Sequence, residues 1–532
     1  MTAASTPAAI DPIALGIFAS RTMAIGEEMG AHLGRAALSA NIRDRRDYSC
    51  ALFDAQGELV AQATHIPVHL GSMAYAMVDL ARSRTWQPGD VMILNDPYQG
   101  GTHLPDVTMI QPVWQHCDDA DVGELIGFTA CRAHYADIGA GETGSMGIAT
   151  HLTQEGVLIP PSLLYAAGTY QEQAVASLLA RVRDSALVHG DIRAQLSTCA
   201  LGAQRMQALC AEMGHEQWSA YLQAMQAYAQ RLAEAAVADI PDGIYHFADV
   251  LDDDGQSDEA VPIRAELTVE KAHMHVRFDA APMVAGNLNC PTSVTAAAVY
   301  YVLRCLLPEH TPVCAGALKP VTFEVNPRSL LNAESPAAVA LGNVETSSRV
   351  VDVLLGALAQ ALPQRIPAAS QGTMNNLAMA SKAQLKIKQD KQPWSYYETL
   401  AGGCGASALG HGADVQHSHM TNTLNTPVEI LERLYPMRIQ RYAQRKGSGG
   451  EGLHAGGEGI IREYEFLAPA RVAVLTERRR YAPWGLAGGG TGAMGENRLN
   501  GQILPGKAEF DVTVGDVLSI ATPGGGAFGA EE

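Results

Sequence analysis

Two short segments of the chain place histidines and carboxylates at a spacing that suits a metal site. Residues 95–106 read NDPYQGGTHLPD and residues 133–139 read AHYADIG. Each segment holds one HxxD step, and together they supply four candidate ligands: His103, Asp106, His134 and Asp137. A divalent cation in a hydrolytic site takes two or three such nitrogen and oxygen ligands and keeps a position open for water. The pattern predicts a metal site, although a structural loop histidine also fits it.

Three further features carry weaker chemical signals. His69, in the sequence IPVHLG, is expected to be a core or hydrogen-bonded histidine rather than a ligand. Cys404 lies in a glycine-rich loop with no recognisable histidine partner, which favours a buried thiol over a nucleophile. Residues 501–508 (GQILPGKA) copy seven positions of a phosphate loop, but Ala508 lacks the hydroxyl that binds Mg²⁺. We therefore expect a β-turn there and no nucleotide site.

Composition excludes several classes of protein. The chain has 532 residues, a formal net charge of −19 and 47% hydrophobic residues, which predicts a large folded core. The acidic balance argues against nucleic acid and anionic membranes as partners. No apolar run approaches membrane-spanning length, and residues 1–18 lack the pattern of a signal peptide. Nine widely spaced cysteines without a CxxC pair indicate reduced thiols. A soluble, cytoplasmic protein is expected.

The elements that must position these residues can be read from hydrophobic periodicity. Alternating apolar runs bounded by Gly, Pro or Asn predict strands at 47–53, 91–94, 107–113, 263–269, 273–278 and 471–476. Helical spacing or composition predicts helices at 14–40, 218–232, 292–307 and 349–362. The two candidate ligand segments thus adjoin predicted strands.

A change of composition along the chain suggests four parts. They are a metal-site α/β domain (1–160), a helical segment (161–240), an α/β domain (241–400) and a glycine-rich β domain (401–532). The last part holds 25 of the 52 glycines, which is typical of a twisted β structure with many tight turns. The predicted fold is mixed α/β (α+β), in a large multi-domain chain.

Nearly the full length of the sequence resembles the hydantoinase B/5-oxoprolinase family. This family comprises the B-type subunits of ATP-dependent hydantoinases, oxoprolinases and lactamases, and the related subunit of acetone-type carboxylases. The matching segments occur in family order, at 46–54, 66–72, 89–106, 133–139, 154–156, 159–161, 190–191, 242–245, 422–432, 448–452, 483–485 and 524–529.

The resemblance implies which candidate residues hold a metal. It assigns His103, Asp106 and His134 as ligands of a divalent ion, and leaves Asp137 as a further ligand or a general base. Because two imidazoles favour a borderline cation over a hard one, Mn²⁺ or Zn²⁺ is expected. Tyr135 stands where a second histidine is common in the family, and we expect it to alter the pocket shape.

The resemblance also implies a partner. ATP and Mg²⁺ would bind a separate A-type subunit of the actin-like ATPase class, in an A2B2 assembly. That subunit would phosphorylate the carbonyl oxygen of a cyclic amide, and the activated species would be hydrolysed at the metal site. The substrate stays open among hydantoins, 5-oxoproline and lactams. The alternatives are a subunit of an ATP-dependent ketone carboxylase, which usually needs a third small subunit, and a non-catalytic scaffold.

Overall fold

The computed structural model describes residues 10–115, 123–141, 143–382 and 393–530. Within these ranges, helices pack around four β-sheets, which confirms the mixed α/β, multi-domain fold. No helix in the described part of the chain combines the length and the apolar character that a membrane crossing requires. Residues 1–9, half of the segment tested for a signal peptide, lie outside the described ranges, as does Cys117.

The first sheet carries the candidate ligands. Its strands are β1 (Tyr48–Phe53), β2 (Leu59–Gln62), β3 (Val91–Leu94), β4 (Asp106–Gln115), β5 (Glu124–His134), β6 (Ser162–Ala166) and β7 (Thr169–Tyr170). All neighbours are antiparallel, in the order β2-β1-β5-β4-β3-β6-β7. The strands predicted near residues 47, 91 and 107 are confirmed.

Helices cover both faces of this sheet. They are α1 (Pro12–Ala36), α2 (Ala40–Arg43), α3 (Pro67–Arg82), α4 (Gln173–Arg181), α5 (Ser185–Met213) and α6 (His215–Ala238). Cys131 and Ala133 of β5 share a core with α1 and α5, whereas Phe128 and Ala130 pack in the core that contains α3. Because side chains alternate along a strand, His134 belongs to the α3 face.

The helix predicted at 14–40 ends at Ala36, because Ala37 is extended and Ser39 caps the short α2. The helical segment predicted at 161–240 also begins later than expected. Residues 162–170 form the hairpin β6–β7, in which Gly168 adopts a φ of +82°. That positive φ supplies the turn, and the apolar SLLYA run is a strand rather than a helix.

The second sheet lies beside the first and supports a buried helix pair. It contains β8 (Gly243–Leu251), β9 (Val261–Glu270), β10 (His273–Ala280) and β11 (Val321–Val325), in the order β11-β10-β9-β8. The helices α7 (Thr292–Leu306) and α8 (Ser347–Ala361) pack with it in one hydrophobic core. A π-helical turn, Gly342–Thr346, leads directly into α8. Such turns often occur at functional sites.

The remaining strands form two more sheets. They are β12 (Asn376–Ser381), β13 (Ser395–Glu398), β14 (Met437–Arg445), β15 (Gly459–Phe466), β16 (Ala470–Leu475), β17 (Glu496–Leu499), β18 (Gln502–Leu504), β19 (Lys507–Val512) and β20 (Val517–Ala521), with the short helix α9 (Val428–Leu434). The sheet orders are β13-β12-β16-β19 and β14-β15-β20-β17-β18. The third sheet therefore joins strands from both sides of residue 400. The four-part domain division stays a prediction.

Glycine-rich loops of the last part pack backbone against backbone. A Cβ at Gly525 would lie 1.9 Å from the carbonyl oxygen of Cys404, so only glycine allows this approach. The loop that resembles a phosphate loop is the β17–β18 turn and the segment after it. Lys507 is buried, and its ammonium lies 2.6 Å from Glu477, where it is unavailable to a nucleotide. The expected β-turn is confirmed.

Candidate metal centre

The ends of two neighbouring strands bring three of the four candidate ligands together. Asp106 is the first residue of β4 and His134 is the last residue of β5, and the two pair directly across the antiparallel ladder. His103 precedes β4 in a tight turn, in which the Asp106 amide donates to the His103 carbonyl at 3.1 Å. The HxxD step therefore folds back on itself, so that His103 and Asp106 face one point.

The three side chains form a buried cluster. Asp106 Oδ1 lies 3.0 Å from His103 Nε2 and 3.2 Å from His134 Nδ1. Each residue offers a ligand atom within 4.8 Å of the other two, and all three side chains are at most 3% exposed. Among the described residues, no other group of His, Cys, Asp and Glu meets this criterion.

The hydrogen bonding of the cluster fits a cation. His103 Nε2 faces the acceptor Asp106 Oδ1 and also the amide nitrogen of Asn343, at 3.1 Å. One ring nitrogen can donate or accept but cannot do both. His103 Nδ1 and His134 Nε2 are buried with no hydrogen-bond partner, which is costly for polar atoms. A cation that takes the lone pairs of the three ligand atoms would remove the conflict at His103. Two imidazoles and one carboxylate suit a borderline divalent ion.

The electrostatics of the cluster also suit metal binding. Burial raises the pKa of the Asp106 carboxyl, but the neighbouring His103 and His69 and two histidine hydrogen bonds outweigh burial and hold that pKa well below its usual range. Burial lowers the pKa of His134, with its hydrogen bond to Asp106 in opposition. Asp106 is thus ionised and His134 neutral at neutral pH, which are the forms that bind a metal.

Asp137 is not brought to this cluster. Its Oδ1 accepts from the amide of Gly139 at 2.9 Å, and its Oδ2 accepts from the amide of Arg183 at 2.8 Å. The Arg183 guanidinium also approaches Oδ2, at 3.4 Å. The second HxxD step therefore stabilises a loop, and the structure gives no support to Asp137 as a ligand or general base.

Two other expectations about nearby residues can be compared with the structure. Tyr135 points away from the cluster, toward α5, where its hydroxyl donates to Gln195 Oε1 at 2.7 Å; it does not shape the metal pocket as expected. His69, at the start of α3, is buried with Nε2 3.2 Å from Asp106 Oδ2 and Nδ1 3.4 Å from Ser49 Oγ. It is a hydrogen-bonded histidine, as predicted.

Residues from distant parts of the sequence complete the site. Asn343, in the π-helical turn, reaches His103 from 240 positions along the chain, and its Oδ1 is buried without a hydrogen-bond partner. The ring of Tyr397, in β13, stacks on His134 at 4.5 Å with an interplanar angle of 16°. Its hydroxyl donates to Asn376 Oδ1 at 2.7 Å. Sequence reasoning missed Asn343 and Tyr397, and no local motif marks either of them.

A buried glutamate positions the π-helical turn. Glu155 accepts hydrogen bonds from the amides of Val339 and Ala340, just before the turn. Burial raises its pKa to about 7, against the effect of these backbone bonds. Glu155 lies in one of the segments that match the family, at 154–156.

With the fold and the site described, the chain can be assigned to a class of proteins. Residues 11–531 match the hydantoinase B/oxoprolinase family model, and the chain belongs to that family. It is 36% identical to 5-oxoprolinase 1 of Arabidopsis thaliana, over 98% of this chain and 42% of the relative. It thus spans about two fifths of the length of the curated 5-oxoprolinases that it matches.

Similar proteins of about the same length also exist. A D-/L-hydantoinase B-type subunit, so named, of Pseudomonas sp. (strain NS671) is 29% identical, with coverage of 98% of this chain and 90% of the relative. The ATP-dependent caprolactamase of Pseudomonas jessenii has a TM-score of 0.89 at 27% identity, over 98% of this chain and 92% of the other. Acetone carboxylase, with a TM-score of 0.86 at 18% identity, over 98% of this chain and 76% of the other, shares the fold.

Proposed function

We propose that this chain is the metal-bearing subunit of an ATP-dependent hydrolase of cyclic amides, and that it acts on a carbonyl phosphorylated by a separate ATP-binding subunit. The buried cluster of His103, Asp106 and His134 is the observation that carries the proposal. Family membership supports the reaction class, and the sequestered Lys507 agrees with ATP binding elsewhere. A hydantoinase relative that is named as a B-type subunit supports an A-type partner, for which we propose an A2B2 assembly.

The residues of the cluster would hold Mn²⁺ or Zn²⁺ through His103, Asp106 and His134. Such a cation, when bound, lowers the pKa of water and polarises a carbonyl or phosphoryl oxygen. Tyr397 covers one face of His134 and keeps that side of the site dry. The carboxamide of Asn343 can donate through Nδ2 or accept through its free Oδ1, and it is placed to contact a substrate beside His103.

The buried Arg132 supports the ligand loop from behind. Its guanidinium donates to Thr108 Oγ1, to Ser72 Oγ and to the carbonyl of Gly100, at 2.6 to 2.9 Å. These bonds connect the strand that carries His134 with α3 and with the loop that carries His103. Burial lowers the pKa of Arg132 to about 10, against the opposing effect of Asp106, so the group stays charged at neutral pH.

Among cyclic amides, 5-oxoproline is the first substrate to test. Identity is 36% to 5-oxoprolinase 1, compared with 29% to the hydantoinase subunit and 27% to the caprolactamase. The second candidate function is a subunit of an ATP-dependent ketone carboxylase, which the shared fold with acetone carboxylase keeps open. A requirement for bicarbonate separates the two functions.

The test is co-expression with an A-type ATP-binding subunit. Phosphate release and ring-opened product are measured with 5-oxoproline, hydantoins, lactams and ketones, with and without bicarbonate. We expect ATP-coupled ring opening of a cyclic amide by the pair and no ATPase or amidase activity by this chain alone. ATP turnover by the single chain would contradict the proposal. Activity only with a ketone and bicarbonate would establish the second candidate.

A further inference from the structure

The two carboxylate oxygens of Asp106 have separate surroundings. Oδ1 faces the rings of His103 and His134, at 3.0 and 3.2 Å. Oδ2 faces away from that pair and lies 2.6 Å from Thr102 Oγ1 and 3.2 Å from His69 Nε2. The carboxylate is buried completely, so water does not compete for either oxygen.

Thr102 makes the shortest of these contacts. Its hydroxyl donates to Asp106 Oδ2, and a hydrogen bond to an ionised carboxylate at 2.6 Å is in the strong class. The backbone just before Thr102 is fixed, because Ser293 Oγ donates to the Gly101 carbonyl at 2.9 Å. The hydroxyl of Thr102 is therefore presented to Oδ2 by a loop that is itself held in place.

His69 reaches the same oxygen from the other side. It lies in the first turn of α3 and is 2% exposed. With the hydrogen on Nε2 it donates to Asp106 Oδ2, while Nδ1 accepts from Ser49 Oγ at 3.4 Å. Ser49 Oγ in turn accepts from the amide of Ile66, at 3.2 Å, which holds the hydroxyl at the end of α3.

We propose that Thr102 and His69 are positioning residues for the metal, which hold Asp106 Oδ2 and leave Oδ1 as the oxygen that binds the ion. The inference deepens the proposed function and rests on it. A carboxylate held in this way is fixed before the metal arrives, and partners of ligating groups usually change metal affinity 10- to 100-fold. Neither residue would itself ligate the ion.

Thr102→Val gives the sharpest test, because valine keeps the shape of threonine and removes only the hydroxyl. Zn²⁺ affinity of the full chain is measured by competition with a chromophoric chelator, and the absorption of bound Co²⁺ reports the ligand geometry. We expect Thr102→Val to bind one Zn²⁺ per chain with about 10- to 100-fold weaker affinity and a changed Co²⁺ spectrum. Thr102→Ser should restore both.

Thr129→Val is the matched control. Thr129 is also buried in the first sheet, but its hydroxyl donates to the Cys199 carbonyl in α5, at 3.0 Å, on the face opposite the cluster. This variant should have wild-type Zn²⁺ affinity, whatever it loses in melting temperature. A second pair tests His69: Gln can donate to Oδ2 and should bind Zn²⁺ more tightly than Leu, which cannot.

The outcomes separate the inference from the proposed function. Wild-type Zn²⁺ affinity in both Thr102→Val and His69→Leu would overturn the inference, even if their metal-free melting temperatures fell. Loss of a full equivalent of metal in His69→Leu, with a Co²⁺ spectrum that has lost a nitrogen ligand, would also overturn it, by making His69 a ligand. A wild-type chain that binds Zn²⁺ as described but supports no ATP-coupled reaction with a partner would remove the proposed function alone.

Discussion

Asp106 and His134 are direct partners across the antiparallel pair β4–β5, and their side chains meet at 3.2 Å. The pairing register thus brings together two residues that are 28 positions apart in sequence. Since register in a buried sheet is set by the alternation of its side chains, the site is as rigid as the sheet itself. The third ligand, His103, is supplied by the turn into β4. The metal centre is therefore a property of one strand pair.

Asp137 provides a test of which HxxD step serves the metal. Because both of its oxygens accept backbone amides, Asp137→Asn should leave metal content unchanged and reduce stability by about 1–2 kcal/mol through the weakened bonds to Gly139 and Arg183. Elemental analysis and denaturant unfolding measure the two effects. A variant that folds normally but loses its metal would restore Asp137 as a ligand.

A pH-dependent contribution to stability is expected from Glu345. Burial, together with the neighbouring Glu477, raises the pKa of Glu345 to about 8. The folded state therefore keeps this proton between about pH 4.5 and 8, where the unfolded chain has released it. Folding takes up a proton in that window, so the free energy of unfolding falls as pH rises, by up to about 1.4 kcal/mol per pH unit from this group.

Glu345→Gln isolates that contribution, because glutamine resembles the protonated acid and does not titrate. Denaturant unfolding from pH 5 to 9 should show a flatter decline for the variant than for the wild type. Parallel curves for the two proteins would mean that Glu345 is ionised in the folded state throughout.

Assembly with a partner is also expected. Ile13 and Ile17 are 73% and 55% exposed on one face of α1, and burial of such side chains favours association. Light scattering of the chain co-expressed with an A-type subunit should show one mixed species with two copies of each. Two independent peaks at micromolar protein would contradict the hetero-oligomer.

The sequence predicts the parts of the site that depend on local structure. His103 and Asp106 lie in one turn and a strand start, and both are recognisable from their spacing. The identical spacing at His134 and Asp137 misleads, because β5 ends at His134 and the chain leaves the sheet before Asp137. Spacing alone does not say which face or which element a residue will occupy.

The parts that depend on tertiary packing could not be predicted. Asn343 reaches His103 only through a π-helical turn before α8, and Tyr397 reaches His134 from the third sheet. The strands at 162–170 were also missed, because a short apolar run fits a helix or a strand until its neighbour is known. The pairing of β6 with β3 decides the matter.

The most direct test of the metal centre is the metal content per chain of His103→Ala and His134→Ala, measured by elemental analysis beside ATP-coupled product formation with the partner. His246→Ala, which truncates an exposed histidine on β8, is the matched control. We expect about one Mn²⁺ or Zn²⁺ in the wild type and the control, and loss of both metal and ring opening in the two ligand variants, with the nucleotide site of the partner intact. Full metal and full turnover in both ligand variants would show that the cluster is only loop structure.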